Sequence, residues 1–335
     1  MKNHATARRA FLQSTALAGV AAAAPWLPRI ASAQAAYPTR QIRLLIGTPP
    51  GDTVDAWTRQ LSAGLSTALG QPVIVENKAG AHGMIVSNAA KAADKDGYTL
   101  MVGTGGPMAI NPALYGDKLS YDPLKDFVAI GGFGTGPLFL YANNDLKVNN
   151  LKEMVAYVKA HPGKVSFGSG GTGTTQHLAM ELLKKATGME MQHVPYKGSP
   201  MVLTDVMGGQ IAFAFDAGTS LLPQALSGKV KLLGVSTAQR SSFTPDVPTL
   251  IEQGVPNFEV SVWAGMFAPA GTPPAIVERL DKEVRQVVGN PNFGKVLRAT
   301  AAEPWPTTGP QLHDHLASEI ARWRVVVREA GVKPE

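Results

Sequence analysis

The chain has 335 residues, with 31 Lys and Arg against 25 Asp and Glu, and no cysteine. The lack of cysteine excludes disulfides, thiol catalysis and thiolate metal sites, and leaves stability to a core drawn from the 44% of apolar residues. The positive surplus sits at the start: Lys2, Arg8, Arg9 and Arg29 fall in the first 35 residues with no acid among them, so 27 basic residues remain against 25 acidic ones, without the basic stripe of a nucleic-acid binder.

Residues 1–35 read as a twin-arginine export signal. Arg8-Arg9 and Phe11-Leu12 precede an Ala-rich run over 17–24, and Ala31-Ser32-Ala33 offers a small-x-small cleavage site. The apolar run is broken by Pro25 and Pro28 and falls short of the about 20 residues that cross a bilayer, so it is a leader and not an anchor. Cleavage is expected between Ala33 and Ala36, which places the mature protein in the periplasm.

From there strand and helix patterns alternate. A strand is expected at 42–46, a helix at 55–69 closed by Gly70, a strand at 72–76, a helix at 84–93 and a strand at 99–103. Strands follow at 126–130 and 138–142, then a helix at 151–160 stopped by Pro162-Gly163, and a strand at 164–168. A helix over 174–187 is capped by Gly188. A strand at 192–195, a helix at 201–207 and strands at 211–216, 231–236 and 265–268 lead to helices at 274–288 and 311–330. Repeating βα units predict an α/β fold of one or two mainly parallel, doubly wound sheets; the uneven spacing argues against a barrel. The glycine-punctuated stretches 131–136 and 254–265 divide the chain into one lobe of 36–135 plus 262–335 and a second of 136–261. A lobe inserted in another through two crossings suits hinge closure over a ligand.

Three strand-to-helix turns carry the chemistry. The first contains Thr48, Pro50, Gly51, Asp52, Thr53 and Asp55, with Asp55 expected to cap the following helix and Asp52 to face the cleft. The second contains Thr104 and Gly105. The third contains Ser169, Gly170, Thr172, Gly173 and Thr174, and leads into His177. N–H groups at helix N-termini, joined by hydroxyls, suit a carboxylate without any cationic side chain. His177 reads equally as a ligand contact or a packing residue, and Asp216, ending a strand, as a rim or hinge residue. Trp57, Trp263 and Trp305 read as core or lobe-interface residues, and His313-Asp314-His315 as a solvated helix face. Residues 168–173 also fit G-x-G-x-x-G, with Glu190 about 20 residues on, which keeps an exported dinucleotide-binding enzyme as an alternative. No cofactor and no metal are otherwise expected.

The mature chain resembles the receptors of tripartite tricarboxylate transporters, the Bug-type periplasmic solute-binding proteins. The resemblance rests on Pro49-Pro50-Gly51 with Asp55, Leu69-Gly70-Gln71-Pro72, Asp96-Gly97-Tyr98-Thr99, Asn111-Pro112-Ala113-Leu114-Tyr115, His193-Val194-Pro195-Tyr196-Lys197-Gly198 and Asp246-Val247-Pro248-Thr249. It implies a two-lobed type II periplasmic binding fold and a monomer. It also implies capture of a small di-, tri- or aromatic carboxylate, gripped by the first and third turns, and delivery to membrane permease subunits. Signalling to a sensor kinase is the alternative outlet. The chain departs from the family at Asp52, where a second glycine is usual, and at Gly47-Thr48, where a more hydrophobic pair is usual.

Overall fold

The computed structural model describes residues 37–333, so the export signal read at 1–35 lies outside the described residues. The order is β1 (Ile42–Ile46), α1 (Thr53–Leu69), β2 (Val73–Asn77), α2 (Met84–Lys91), β3 (Thr99–Thr104) and a short α3 (Asn111–Tyr115). Then come β4 (Phe127–Pro137), β5 (Phe139–Asn143), α4 (Leu151–Ala160), β6 (Ser166–Ser169), α5 (Thr175–Thr187), β7 (Gln192–Pro195) and α6 (Ser199–Met207). The chain closes with β8 (Phe213–Asp216), α7 (Gly218–Leu226), β9 (Val230–Val235), β10 (Ser261–Pro269), α8 (Pro274–Val288), α9 (Pro291–Arg298), β11 (Glu303–Pro304) and α10 (Gly309–Ala330).

Two lobes form around two sheets. The first sheet has the order β11-β4-β10-β3-β1-β2, the second β7-β6-β8-β5-β9. β1 is parallel to β2 and β3, and β6 is parallel to β7 and β8, as right-handed βα crossovers require. The expectation of mainly parallel sheets fails at the strands that join the lobes. β10 runs antiparallel to both β3 and β4, and β5 antiparallel to both β8 and β9. The reason is local: one residue, Leu138, separates β4 from β5, and β10 returns without a preceding helix, so neither strand ends a βα crossover.

β4 also runs past the expected end at 130, through its glycines to Pro137. A side chain at Gly132 would lie 2.5 Å from the Trp305 ring, so the missing Cβ lets the 305–307 segment lie flat on the strand. α3, α7 and α9 are the helices the sequence pattern missed. α3 spans only 5 residues, α7 holds Pro223 in its interior, and α9 is only 8 residues long.

Caps follow the sequence more closely, except at the start of α1, where Asp52 takes the place expected of Asp55. α1 starts at an Asp52 cap and stops at Gly70 in the left-handed region. Thr174 caps α5, and Thr308 with Gln311 forms a capping box on α10. The two crossings between lobes meet at Ser236, which is fully buried. Its Oγ accepts from Leu138 N at 2.9 Å and donates to Val260 O at 2.5 Å. Its own N–H donates to Leu138 O, and its carbonyl accepts from Val260 N, both at 2.9 Å.

Candidate functional site

A cavity of about 540 Å³ opens where the carboxyl ends of β1, β3, β6, β7 and β8 face one another. That is the position at which open α/β sheets hold ligands, and the volume falls in the range of small-molecule sites. Of the residues read from the sequence, Thr48, Asp52, Thr53, Thr104, Gly105, Gly170, Thr172, Gly173, Thr174 and Asp216 line it.

Pro50, Gly51, Asp55, Ser169 and His177 do not line the cavity: Pro50 and Gly51 are exposed, and Asp55, Ser169 and His177 are buried beside it. The cap expected of Asp55 belongs to Asp52, whose Oδ1 accepts from Val54 N at 3.0 Å. Asp55 is turned away: it accepts from Gly51 N at 3.1 Å, Arg59 Nε at 3.0 Å and Asn77 Nδ2 at 2.8 Å. Burial raises the pKa of its carboxyl, but these hydrogen bonds more than offset that and hold it below the usual carboxylate range.

Ser169 and His177 hold the third turn from beneath. Ser169 Oγ donates to Gly171 O at 3.0 Å and lies 2.7 Å from His193 Nε2. His177 Nδ1 accepts from Gly173 N at 3.1 Å, and its ring stacks on His193 with centroids 3.7 Å apart. Burial, then the neighbouring His193, Lys184 and His82, push the His177 pKa down to about 3, so the ring is neutral and acts as an acceptor.

The two acidic wall residues come from different lobes. Asp52 lies at the start of α1, and Asp216 at the end of β8. Asp52 is half-buried and lines the cavity. Desolvation there raises its pKa to about 6 against the opposing Val54 hydrogen bond. Burial and the charge of Asp52 push Asp216 up to about 7. Asp216 Oδ1 accepts from the adjacent Ala217 N at 2.8 Å, while Oδ2 is buried without a hydrogen-bond partner. Thr48 Oγ1, on the same wall, is also buried without a partner.

Other parts of the wall escaped the sequence reading: 79–83, including His82; Gln176; and 195–199, including Tyr196 and Lys197. The 195–199 turn follows a predicted strand, so the rule that located the other three turns applies to it too. Ala81 and His82 carry left-handed φ angles of 43° and 52°, a backbone strain that only the fold makes visible.

The dinucleotide alternative loses its acidic partner. Glu190 is exposed and precedes β7, whereas a ribose-binding acid stands at the carboxyl end of that strand. His315 is not on a solvated face as expected. It is half-buried, with its ring 5.2 Å from Trp263 and 4.8 Å from Trp305, while His313 and Asp314 are exposed. Among the described residues no group of His, Asp or Glu is arranged to hold a metal ion, and no helix is long and apolar enough to cross a membrane.

Two α/β lobes with a cavity at facing strand ends define a periplasmic-binding-protein fold. Residues 57–332 match the tripartite tricarboxylate transporter family receptor, and the chain belongs to that family. It is 36% identical to protein BugT of Bordetella pertussis over 298 residues, which is 89% of this chain and 91% of BugT. The structure of R. palustris Rpa4515 with adipate is 34% identical, with a TM-score of 0.85 over 89% of this chain and 100% of that one. MatC from Rhodopseudomonas palustris, with bound malate, is 30% identical, with a TM-score of 0.82 over 87% of this chain and 100% of that one.

Proposed function

We propose that this chain is an exported, non-enzymatic solute receptor that captures a small organic carboxylate in the cavity and hands it to the permease subunits of a tripartite tricarboxylate-type transporter. The observation that carries the reading is the wall itself. Turns from the carboxyl ends of five strands, rich in Gly and Thr, converge on one space from both lobes. Such turns hold an anion through peptide N–H groups and hydroxyls. Relatives about one-third identical over nearly their whole length are seen with adipate and malate, which supports a carboxylate here. The receptor acts as a monomer in the periplasm, reached by the twin-arginine route, and needs no cofactor.

A thermal-shift screen of the mature protein against di-, tri- and aromatic carboxylates, amino acids and nicotinamide nucleotides tests the reading. A ligand at about 100 times its Kd adds roughly 2.7 kcal/mol, a visible rise in melting temperature. Stabilisation by one or more carboxylates is expected; stabilisation by a nucleotide alone would overturn the reading. Mass measurement of the exported protein is expected to place its first residue between Ala33 and Ala36.

A further inference from the structure

We propose that Asp52 and Asp216 together form a cation subsite in the cavity, so that the preferred ligand is an amino-substituted carboxylic acid whose ammonium group sits between the two carboxylates. The inference rests on the carboxylate-receptor reading and adds the second half of the ligand.

The two acids line the same cavity and come from opposite lobes. Asp216 is only 2% exposed, and its Oδ2 has no hydrogen-bond partner. Ser199 and Gln176 are the donors beside Asp216 and lower its pKa, but Gln176 Nε2 donates to Ser199 Oγ at 3.2 Å and neither side chain closes a bond to Oδ2. Behind it, the Tyr141 hydroxyl is also buried and unpartnered, and feels the charge of Asp216. A buried acceptor left open costs free energy that a donor on the ligand recovers.

Asp52 adds a second carboxylate close enough for the two charges to repel. Its Oδ1 is occupied by the helix cap. The other charge that acts on it is the like charge of Asp55, which raises its pKa further. The basic side chains on the wall are His82 and Lys197, and Lys197 is exposed at the rim. A plain dianion brought against the two acids would add like charge in a desolvated space. An ammonium group meets both carboxylates and satisfies Oδ2 through its N–H donors. The acids sit on opposite lobes, so the ammonium would bridge the lobes and favour their closed arrangement.

Titration calorimetry on matched probes tests the subsite: succinate and aspartate, adipate and 2-aminoadipate, hexanoate and 6-aminohexanoate. The amino member of at least one pair is expected to bind about tenfold or more tighter than its unsubstituted partner. Runs at pH 7 in two buffers of different ionisation enthalpy read the proton count. An ammonium ligand lowers both carboxyl pKa values and releases protons, whereas a plain acid raises them and takes protons up. Asp216→Asn and Asp52→Asn, the second of which keeps a capping side chain, are expected to abolish the amine preference and, by removing like charge, to tighten binding of the unsubstituted acid. Thermal melts of both variants verify their folding. Equal or tighter binding of the unsubstituted acids throughout, or proton uptake with the amino ligand, would overturn the subsite and leave the carboxylate receptor standing. Binding by neither member of any pair would overturn both.

Discussion

Replacing Ser236 by Ala isolates the point where the two lobes are joined. The side chain is fully buried, and its Oγ serves Leu138 N and Val260 O, one group on each crossing. Alanine keeps the Cβ and the backbone bonds but strands one N–H and one C=O away from water. At roughly 1–3 kcal/mol for each unpaired group, partly relieved by small shifts, the loss is about 2–4 kcal/mol. In a domain of this size 1 kcal/mol moves the melting temperature by roughly 2–4 °C, so a fall of about 4–16 °C is expected. Ser227→Ala is the control. Its Oγ donates to Gln224 O on the exposed surface, and its loss should stay within about 0.5 kcal/mol. Urea and thermal unfolding of the two variants against the parent measure both effects. A Ser236→Ala shift below about 2 °C would refute the claim that this hydroxyl staples the crossings.

Gly105 has an ordinary helical φ of −52°, so Gly105→Ala carries no backbone strain. Its new Cβ would lie 3.0 Å from Thr175 Oγ1 across the cavity; overpacking of about 1–2 kcal/mol should weaken binding by roughly 5- to 30-fold in calorimetry while the fold stays intact. Asp52→Gly removes a wall carboxylate for only a few tenths of a kcal/mol of capping, so plain dicarboxylates should bind more tightly; unchanged affinity across a panel would mean that the side chain does not face the ligand. His177 is held neutral with a pKa near 3, while the unfolded chain takes up the proton near 6.5. Its contribution is therefore complete above about pH 6.5 and falls as the pH drops, by up to about 1.4 kcal/mol per pH unit. Asp52 and Asp216, raised to about 6 and about 7, run the other way: their contribution is complete below about pH 4 and is lost as the pH rises through 6–7. The measurement is thus the difference in urea midpoint between the parent and His177→Gln at pH 7 and 4.5. The variant should lose less stability on acidification.

Much of the site was legible because turns at strand ends advertise themselves. Asp52 to Thr53, Thr104-Gly105 and the residues from Gly170 to Thr174 are small, polar and wedged between periodic segments, and all of them reach the cavity. The sequence could not say which of two nearby acids would turn inward as partner and which would serve as cap. That choice is made by Arg59 and Asn77, which capture Asp55 and leave the cap to Asp52. His177 sits at a helix start beside a binding turn, yet stacking on His193 takes it below the wall, and His193 is 16 residues further along the chain. Antiparallel pairing at β5 and β10 escaped for the same reason. Their own patterns read as strands, but which strands they pair with, and so their direction, is set by residues far along the chain, and the missing helix before each only permits it.

The contacts across the cavity say how such a site must operate. Gly198, on the lobe around the second sheet, faces Pro49 on the other lobe, and a Cβ there would fall 2.9 Å from Pro49 Cγ. Gly105 stands equally close to Thr175 in the opposite sense. The two lobes therefore approach each other across the cavity where glycine leaves room for no side chain. The lobes stay attached at the Ser236 staple, whose hydrogen bonds link peptide groups at the crossings and not the rims. Closure is then decided by what fills the space between Asp52 and Asp216. Empty, the pair repels across the gap; with a cation between them, each lobe is drawn towards the same charge.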